Sequence, residues 1–345
     1  MIVLGIDTSC DDTCVAVLQV KDSKFHVGSN IISSQTKIHK KYGGVFPTLA
    51  KREHKKNLPI AFKNALKKAK IKENQIDLIS VTIGPGLEPC LWVGVNFAKD
   101  LGKKLKVPII PVNHIEAHIL VNFLLLPNFK FPIPGICLVV SGGHTQLILM
   151  ERIGEYKLIG ETRDDAAGEC LDKVARLLGF EYPGGPIIEK LAQQPTPDTP
   201  YQISFPRPMI KQKNYDFSFA GLKTAVLYDF LKRPEKMRRS KEYKILVAKE
   251  VQQAVIEVLV SKTIRAVKEF GAKSIILGGG VVANEELKKQ FLENCKVQLS
   301  NCKLIFPPKE LCTDNGLMVA ITGYFHKEES TKNFDRIKAE PNLKI

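Results

Sequence analysis

The stretch "VNHIEAH" at 112–118 holds the residues most able to do chemistry. His114 and His118 are four apart, a spacing that puts both imidazoles on one face of a helix and within reach of a shared metal ion. The zinc-protease motif H-E-x-x-H has the same histidine spacing, but its glutamate directly follows the first histidine. Here Glu116 follows by two. At about 100° per residue His118 lies about 40° round from His114, whereas Glu116 lies about 200° away. A glutamate on the opposite face cannot act on water held between the histidines, so the protease reading fails on angle. A third ligand must come from elsewhere. "CTDNGLMVA" at 312–320 offers Asp314 at the start of an apolar helix, with a plain N-cap aspartate as the competing reading. Two histidines and one carboxylate would leave coordination positions open to a substrate.

Those residues need a frame. "IVLGIDTSCDDTCVAVLQV" (2–20) and "GICLVVSGGHTQLILM" (135–150) each read as strand, polar turn, strand. A dinucleotide-binding loop would run from strand to helix instead. The tips are rich in Ser, Thr, Gly and Asp, whose backbone amides can cradle anionic oxygens. This matched pair points to a duplicated α/β, actin-like architecture of the sugar-kinase, Hsp70 and actin type, with a ligand between two lobes. The lobes are expected at 1–131 and 132–345, with the last helix packing back on the first. "DLISVTIGPG" (77–86) reads as a strand into a turn, 94–106 as a helix, and 107–125 as strand then helix. A long amphipathic helix is expected over 245–271, closed by Gly271. "AKSIILGGGVVANEEL" reads as strand, glycine turn and helix, with Asn284 at the N-cap and the glycines permitting close approach of a flat ligand. The proline-rich 193–209 reads as a surface loop.

Composition narrows the class. The 345 residues are 44% hydrophobic and 25% charged, as in an ordinary globular protein. No apolar run reaches the ~18 residues of a membrane helix. The N-terminus does not resemble a signal peptide. The eight cysteines include no C-x-x-C pair, which suggests thiols in a reducing cytoplasm. The net charge of +15 is uneven. From Lys37 to Lys72 there are twelve Lys or Arg and one acid, Glu53; from Lys232 to Lys244 there are seven basic residues and two acids. Either cluster is a solvated face or a polyanion surface, RNA or DNA. Aromatics are sparse in both, so base stacking is not indicated and phosphate tracking is the more natural use.

Eight motifs occur in order: "GIDTSCDDT", "GPGLEPCLWVGV", "VNHIEAH", "LVVSGGHTQL", "DDAAGECLDKVARLLGFEYPGGP", "FSFAGLKTAV", "GGGVVAN" and "CTDNGLM". Together they resemble the bacterial branch of the tRNA threonylcarbamoyladenosine biosynthesis family, related to the KEOPS complex and once labelled O-sialoglycoprotein endopeptidase. The resemblance runs from Gly5 to about Tyr324. It implies an actin-like, metal-dependent acyltransferase that moves threonylcarbamoyl from threonylcarbamoyl-AMP to N6 of adenosine 37 in tRNAs reading codons that begin with A. It implies that His114, His118 and Asp314 hold one Fe(2+) or Zn(2+) ion. It further implies that Val139, Val140, Ser141, Gly142, Gly143, Asp172, Gly185 and Asn284 bind the adenylate. Implied partners are tRNA, a smaller actin-like paralogue and a P-loop ATPase. The family often carries Asp-Glu where this chain has Asp11-Asp12, which puts a direct role for the shorter Asp12 in doubt. A carboxylate near the first turn, Asp11 by preference, could accept the amine proton; the competing reading has Asp11 only fixing the hairpin. Two other classes compete: an actin-like ATPase or kinase, against which the histidine pair counts, and a non-catalytic RNA-binding scaffold.

Overall fold

The structure, a computed structural model, describes residues 1–126, 132–299 and 301–345. The chain divides into two compact units, Met1–Phe131 with Thr313–Ile345, and Pro132–Cys312. The lobe boundary expected at 131/132 abuts residues 127–131, which lie outside the described residues. Residues 313–345, expected in the second lobe with only the last helix packing back on the first, belong to the first unit from Thr313 onward.

The first unit is built on strands β1 (Ile2–Asp7), β2 (Asp12–Lys21), β3 (Lys24–Ser34), β4 (Leu78–Gly84) and β5 (Ile109–Asn113) in the spatial order β3-β2-β1-β4-β5. β1 to β3 form an antiparallel meander, while β1, β4 and β5 are parallel. The second unit has β6 (Gly135–Val140), β7 (Thr145–Arg152), β8 (Glu155–Glu161), β9 (Ser274–Gly278) and β10 (Lys303–Ile305). Its order is β10-β9-β6-β7-β8. Read from the other edge, this is the first sheet repeated, with the same antiparallel and parallel pairings. The two strand–turn–strand stretches of the sequence are β1–β2 and β6–β7, the same place in each sheet.

Burial follows from topology. Strands that pair in parallel need crossover helices, which cover both sheet faces. Accordingly β4, β6 and β9 are buried along their whole length. In the first unit the helix Pro47–Ala69 buries Ala50, His54, Leu58, Ala61, Phe62, Ala65 and Leu66, a stripe at helical period, against β2 and β3. The helix expected at 94–106 begins at Glu88, with Pro89 in its first turn, and ends at Leu105. The long helix of the second unit runs Lys241–Phe270; Ser240 caps its start by accepting from the Tyr243 N–H. Gly271 closes it at φ +60°.

One helix decides the candidate site. Gly316–Phe325, "GLMVAITGYF", buries all eight residues from Gly316 to Gly323 and packs on β1, β2 and β4. An apolar sequence on every face suits only a helix enclosed on all sides. It lies so close to the sheet that a Cβ on Gly5 would overlap the Gly316 carbonyl, and one on Gly316 would overlap β2 backbone. These glycines let residue 314 arrive beside the N-terminal strands.

The stretch 193–209 has no regular secondary structure beyond Ala192, yet it is pinned. Phe205 is buried, and Arg207 pairs with Glu250 and, at 2.7 Å, with Glu257 of the long helix. A surface loop was expected; proline content alone does not reveal such anchors.

Candidate functional site

In the first unit β5 ends at Asn113, whose Oδ1 accepts from the N–H groups of Ile115 (2.8 Å) and Glu116 (3.2 Å) and so starts the helix His114–Leu120. Every residue of that helix is buried. The His114 and His118 rings lie edge to face, 4.8 Å between centroids. Asp314 is brought to them by the helix Gly316–Phe325. The capping role belongs to its neighbour: Asn315 Oδ1 accepts from Met318 N–H at 2.9 Å. The plain N-cap reading of Asp314 is therefore excluded. Asp314 Oδ1 lies 3.2 Å from His118 Nε2 and 3.5 Å from His114 Nε2.

A metal ion fits these donors. Two ligands at about 2.0–2.1 Å in a tetrahedron stand roughly 3.3 Å apart, close to the two separations observed. One donor atom from each of the three residues lies within 4.8 Å of the others. The surrounding charge agrees. Burial raises the carboxyl pKa of Asp7 and of Asp11, and the nearby Asp314 charge raises both further. Asp12 is pushed up to about 7, by burial first and then by Asp11, Asp314 and Asp7 against a hydrogen bond from Ser34. Carboxylates crowded in this way would be relieved by a cation.

Three residues that the sequence does not single out act here: Asp7, His54 and His326. Asp7, at the end of β1, sets Oδ2 3.6 Å from His114 Nδ1. It stands where a ring-orienting carboxylate would. His54 reaches from the helix Pro47–Ala69 to the β1–β2 tip; its Nε2 lies 2.9 Å from the Cys10 carbonyl and its Nδ1 2.8 Å from Thr13 Oγ1. A carbonyl only accepts, so Nε2 carries the proton and Nδ1 accepts from the threonine. Asp11 sits in the tip so clamped, its own carbonyl accepting from Gln35 N–H at 3.0 Å. Finally, Glu116 faces His326, with Oε1 2.8 Å from Nε2. That hydrogen bond raises the imidazole pKa to about 9 against the opposing effect of burial. Glu116 is turned to another task, as the angular argument required.

The second unit gathers the residues ascribed to adenylate binding, by backbone more than by side chain. Val139 and Val140 are wholly buried at the end of β6, paired with Gln146 and Thr145. Ser141 organises the β6–β7 tip: its Oγ accepts from Gly143 and His144 N–H (3.3 and 3.1 Å), and its carbonyl from Gly168 N–H (3.3 Å). Asp172 Oδ1 accepts from Gly184 (2.7 Å) and Gly185 (3.2 Å) at the start of the helix Gly185–Ala192. Asn284 caps the helix Glu285–Gln298 through Leu287 N–H at 3.0 Å, while its Nδ2 donates to Gln252 at 2.8 Å. Asp172 and Asn284 thus hold turns in place.

The glycines divide into two kinds. Gly279 adopts φ +93°, and a Cβ there would overlap Val140 backbone. A Cβ on Gly168 would meet Ser141 O at 2.6 Å, and one on Gly184 would meet Ala175 Cβ at 2.5 Å. The fold requires those three. Gly142, Gly143 and Gly185 have negative or extended φ and nothing within 4 Å of an added Cβ. Neither packing nor backbone strain explains them, and bare backbone facing open space is what a closely bound ligand needs.

A protein-family model described as tRNA N6-adenosine threonylcarbamoyltransferase matches residues 26–321. The protein of that name from Thermosipho africanus is 48% identical over 345 residues, covering 100% of both chains. Its counterpart from Clostridioides difficile is 43% identical over 348 residues, covering 100% of this chain and 98% of the relative. Among solved structures, Acidaminococcus fermentans (R)-2-hydroxyglutaryl-CoA dehydratase component A superposes with a TM-score of 0.55 at 14% identity, over 95% of this chain and 99% of that one. T. kodakarensis HypF gives 0.58 at 15% identity, over 96% and 48%. At such identities these two speak for the fold alone, and the fold is actin-like, as the duplicated strand order is.

Proposed function

The chain belongs to the tRNA N6-adenosine threonylcarbamoyltransferase family, and from that premise we propose that it transfers threonylcarbamoyl from threonylcarbamoyl-AMP to N6 of adenosine 37 in tRNAs reading codons that begin with A. The observation that carries this reading is the convergence of His114, His118 and Asp314, two residues of one short helix and one from almost 200 positions later.

The amine of adenine is a weak nucleophile, because its lone pair is delocalised, while the mixed anhydride is already activated. Holding the two together can lower the barrier by roughly 7–11 kcal/mol. The N6–carbon bond forms as the carbon–oxygen bond to the adenylate phosphate breaks, and AMP leaves. An Fe(2+) or Zn(2+) ion bound by His114, His118 and Asp314 would act as a Lewis acid towards an oxygen of the acyl group. Asp7, 3.6 Å from His114 Nδ1, is placed to orient that ring by its charge. Asp11, made more basic than an ordinary carboxylate by burial and by Asp314, takes the amine proton; Asp12 is the alternative acceptor. The donor lies on Ser141, Gly142, Gly143 and Gly185, beyond the strand end that Val139 and Val140 hold in place, with Asp172 and Asn284 holding the turns that face it.

The resemblance also supports a smaller actin-like paralogue and a P-loop ATPase as partners, and work in the cytoplasm. Among the described residues no helix is long and apolar enough to cross a membrane. The test is transfer itself. The purified chain with those partners, threonylcarbamoyl-AMP and unmodified tRNA should yield threonylcarbamoyladenosine in nuclease digests read by mass spectrometry. Digests with no such nucleoside, from protein loaded with either metal, would overturn the reading.

A further inference from the structure

The basic segment after β3 carries something its composition hides. Tyr42 and Phe46 are 54% and 53% exposed, and their rings lie 5.8 Å apart between centroids at an interplanar angle of 25°. Gly43, at φ +70°, reverses the chain between them. Two residues four apart, outside any one helix, therefore stand together, their rings stacked and each residue more than half exposed. Lys41 Nζ sits 5.3 Å over the Tyr42 ring, and Lys37 and Lys40 are exposed beside it. From Thr36 to Arg52 the sequence has no acidic residue. Of the three aromatics in the cluster, set against base stacking above, Phe62 is buried and the two exposed ones meet at this point.

This segment is tied to the reactive turn. Phe46 N–H donates to His39 Nδ1 at 3.3 Å, which makes Nδ1 the bare nitrogen and directs Nε2–H to Gln35 Oε1, 3.1 Å away. Gln35 N–H in turn donates to the Asp11 carbonyl. His39 and Gln35 are fully buried.

We propose that Tyr42 and Phe46 form a stacking platform for a nucleobase in the single-stranded loop of the acceptor RNA, with Lys37, Lys40 and Lys41 meeting the adjacent phosphates. The assignment rests on the transferase reading and names the part of the chain that grips the acceptor. Every base offers a π-face, and aromatics interleaved with positive charge are how single strands are held. A protein partner is the poorer fit, since lysine is depleted at the centres of protein interfaces.

The probe is a tRNA anticodon stem-loop carrying 2-aminopurine beside the acceptor adenosine, tested with the isolated chain and with the assembled complex. Wild-type protein should quench the fluorophore. The double substitution Tyr42→Ala with Phe46→Ala should abolish quenching and raise the KM for tRNA by about 5- to 100-fold. The KM for the donor should hold. The backbone bond from Phe46 to His39 survives both changes. Tyr42→Trp should restore quenching. The aromatic variants should keep the wild-type slope of log affinity against log salt, whereas Lys37, Lys40 and Lys41 to Gln should flatten it by somewhat under ~1 unit per lost contact. Unchanged quenching and KM in the double variant would overturn the platform. So would loss of complex assembly with RNA binding by the isolated chain intact, which would make the rings a protein contact. A wild-type assembly that modifies no tRNA would overturn the transferase reading and this one with it, whereas an active wild type with indifferent variants would sink the platform alone.

Discussion

The tips of β1–β2 and β6–β7 occupy the same place in two sheets of identical strand order, and each spans four residues, Thr8–Asp11 and Ser141–His144. In chemistry they are opposites. The first is buried at Thr8 and Ser9 and surrounded by ionisable side chains: Asp7, Asp11, Asp12, Asp314 and two histidines. The second is exposed at Gly142 and Gly143 and presents bare backbone. A duplicated fold sets where a ligand can be met. What meets it depends on whether side chains crowd the tip, as a cation requires, or are stripped from it, as a flat and anionic ligand prefers.

If the first tip works through its side chains, removing one should be nearly complete in effect. His114→Ala should lose most bound metal and at least ~100-fold in transfer, beyond what orienting residues alone are worth, with far-UV circular dichroism unchanged. Full metal occupancy and normal rates in that variant would take the metal out of the mechanism.

The basic helix beside the first tip comes next. Arg52, Lys55 and Lys56 are exposed and Lys51 is half-buried. Converting all four to Glu should weaken tRNA binding by on the order of 10- to 1,000-fold and flatten its salt slope, while adenylate binding holds. An unchanged affinity and slope, in the isolated chain and in the complex, would return these residues to a solvated face.

The second tip should fail differently. Gly142→Ala and Gly143→Ala should leave the melting temperature within a degree or two and raise the KM for the adenylate several-fold. Gly279→Ala should cost about 1–3 kcal/mol of stability through its positive φ and its contact with Val140. Equal destabilisation by all three would mean that the exposed glycines serve the fold after all.

Glu116→Gln is expected to have the smallest effect on transfer, since Glu116 faces His326. Its signature is in stability. Folding raises the His326 pKa from 6.5 to about 9, so the pair's contribution is fully present below pH 6.5 and is lost as pH rises through 9. The variant should be on the order of 1–3 kcal/mol less stable near pH 6, with the gap to wild type closing by pH 10. A gap that ignores pH would show that the pair does not titrate as the geometry implies.

Local order fixed much of this in advance. The β1–β2 and β6–β7 hairpins, the cap at Asn284, the C′ glycine at Gly271 and the opposed faces of His114 and Glu116 all follow from contacts within a few residues. Periodicity and turn chemistry report such contacts directly. Ordered motifs added the family, and with it the expectation that Asp314 is the third ligand. What the sequence could not decide depended on chain segments far apart. Only the enclosed helix Gly316–Phe325, seated on glycines 5 and 316, brings Asp314 to the histidines and gives the cap to Asn315. Only packing shows that His54 clamps the Cys10 carbonyl, that Asp7 faces His114, and that Tyr42 and Phe46 stand together in a segment whose composition reads simply as basic. A residue type states which contacts a side chain is able to make. The tertiary structure alone selects the partner, because closing a long loop and excluding water depend on the whole core at once.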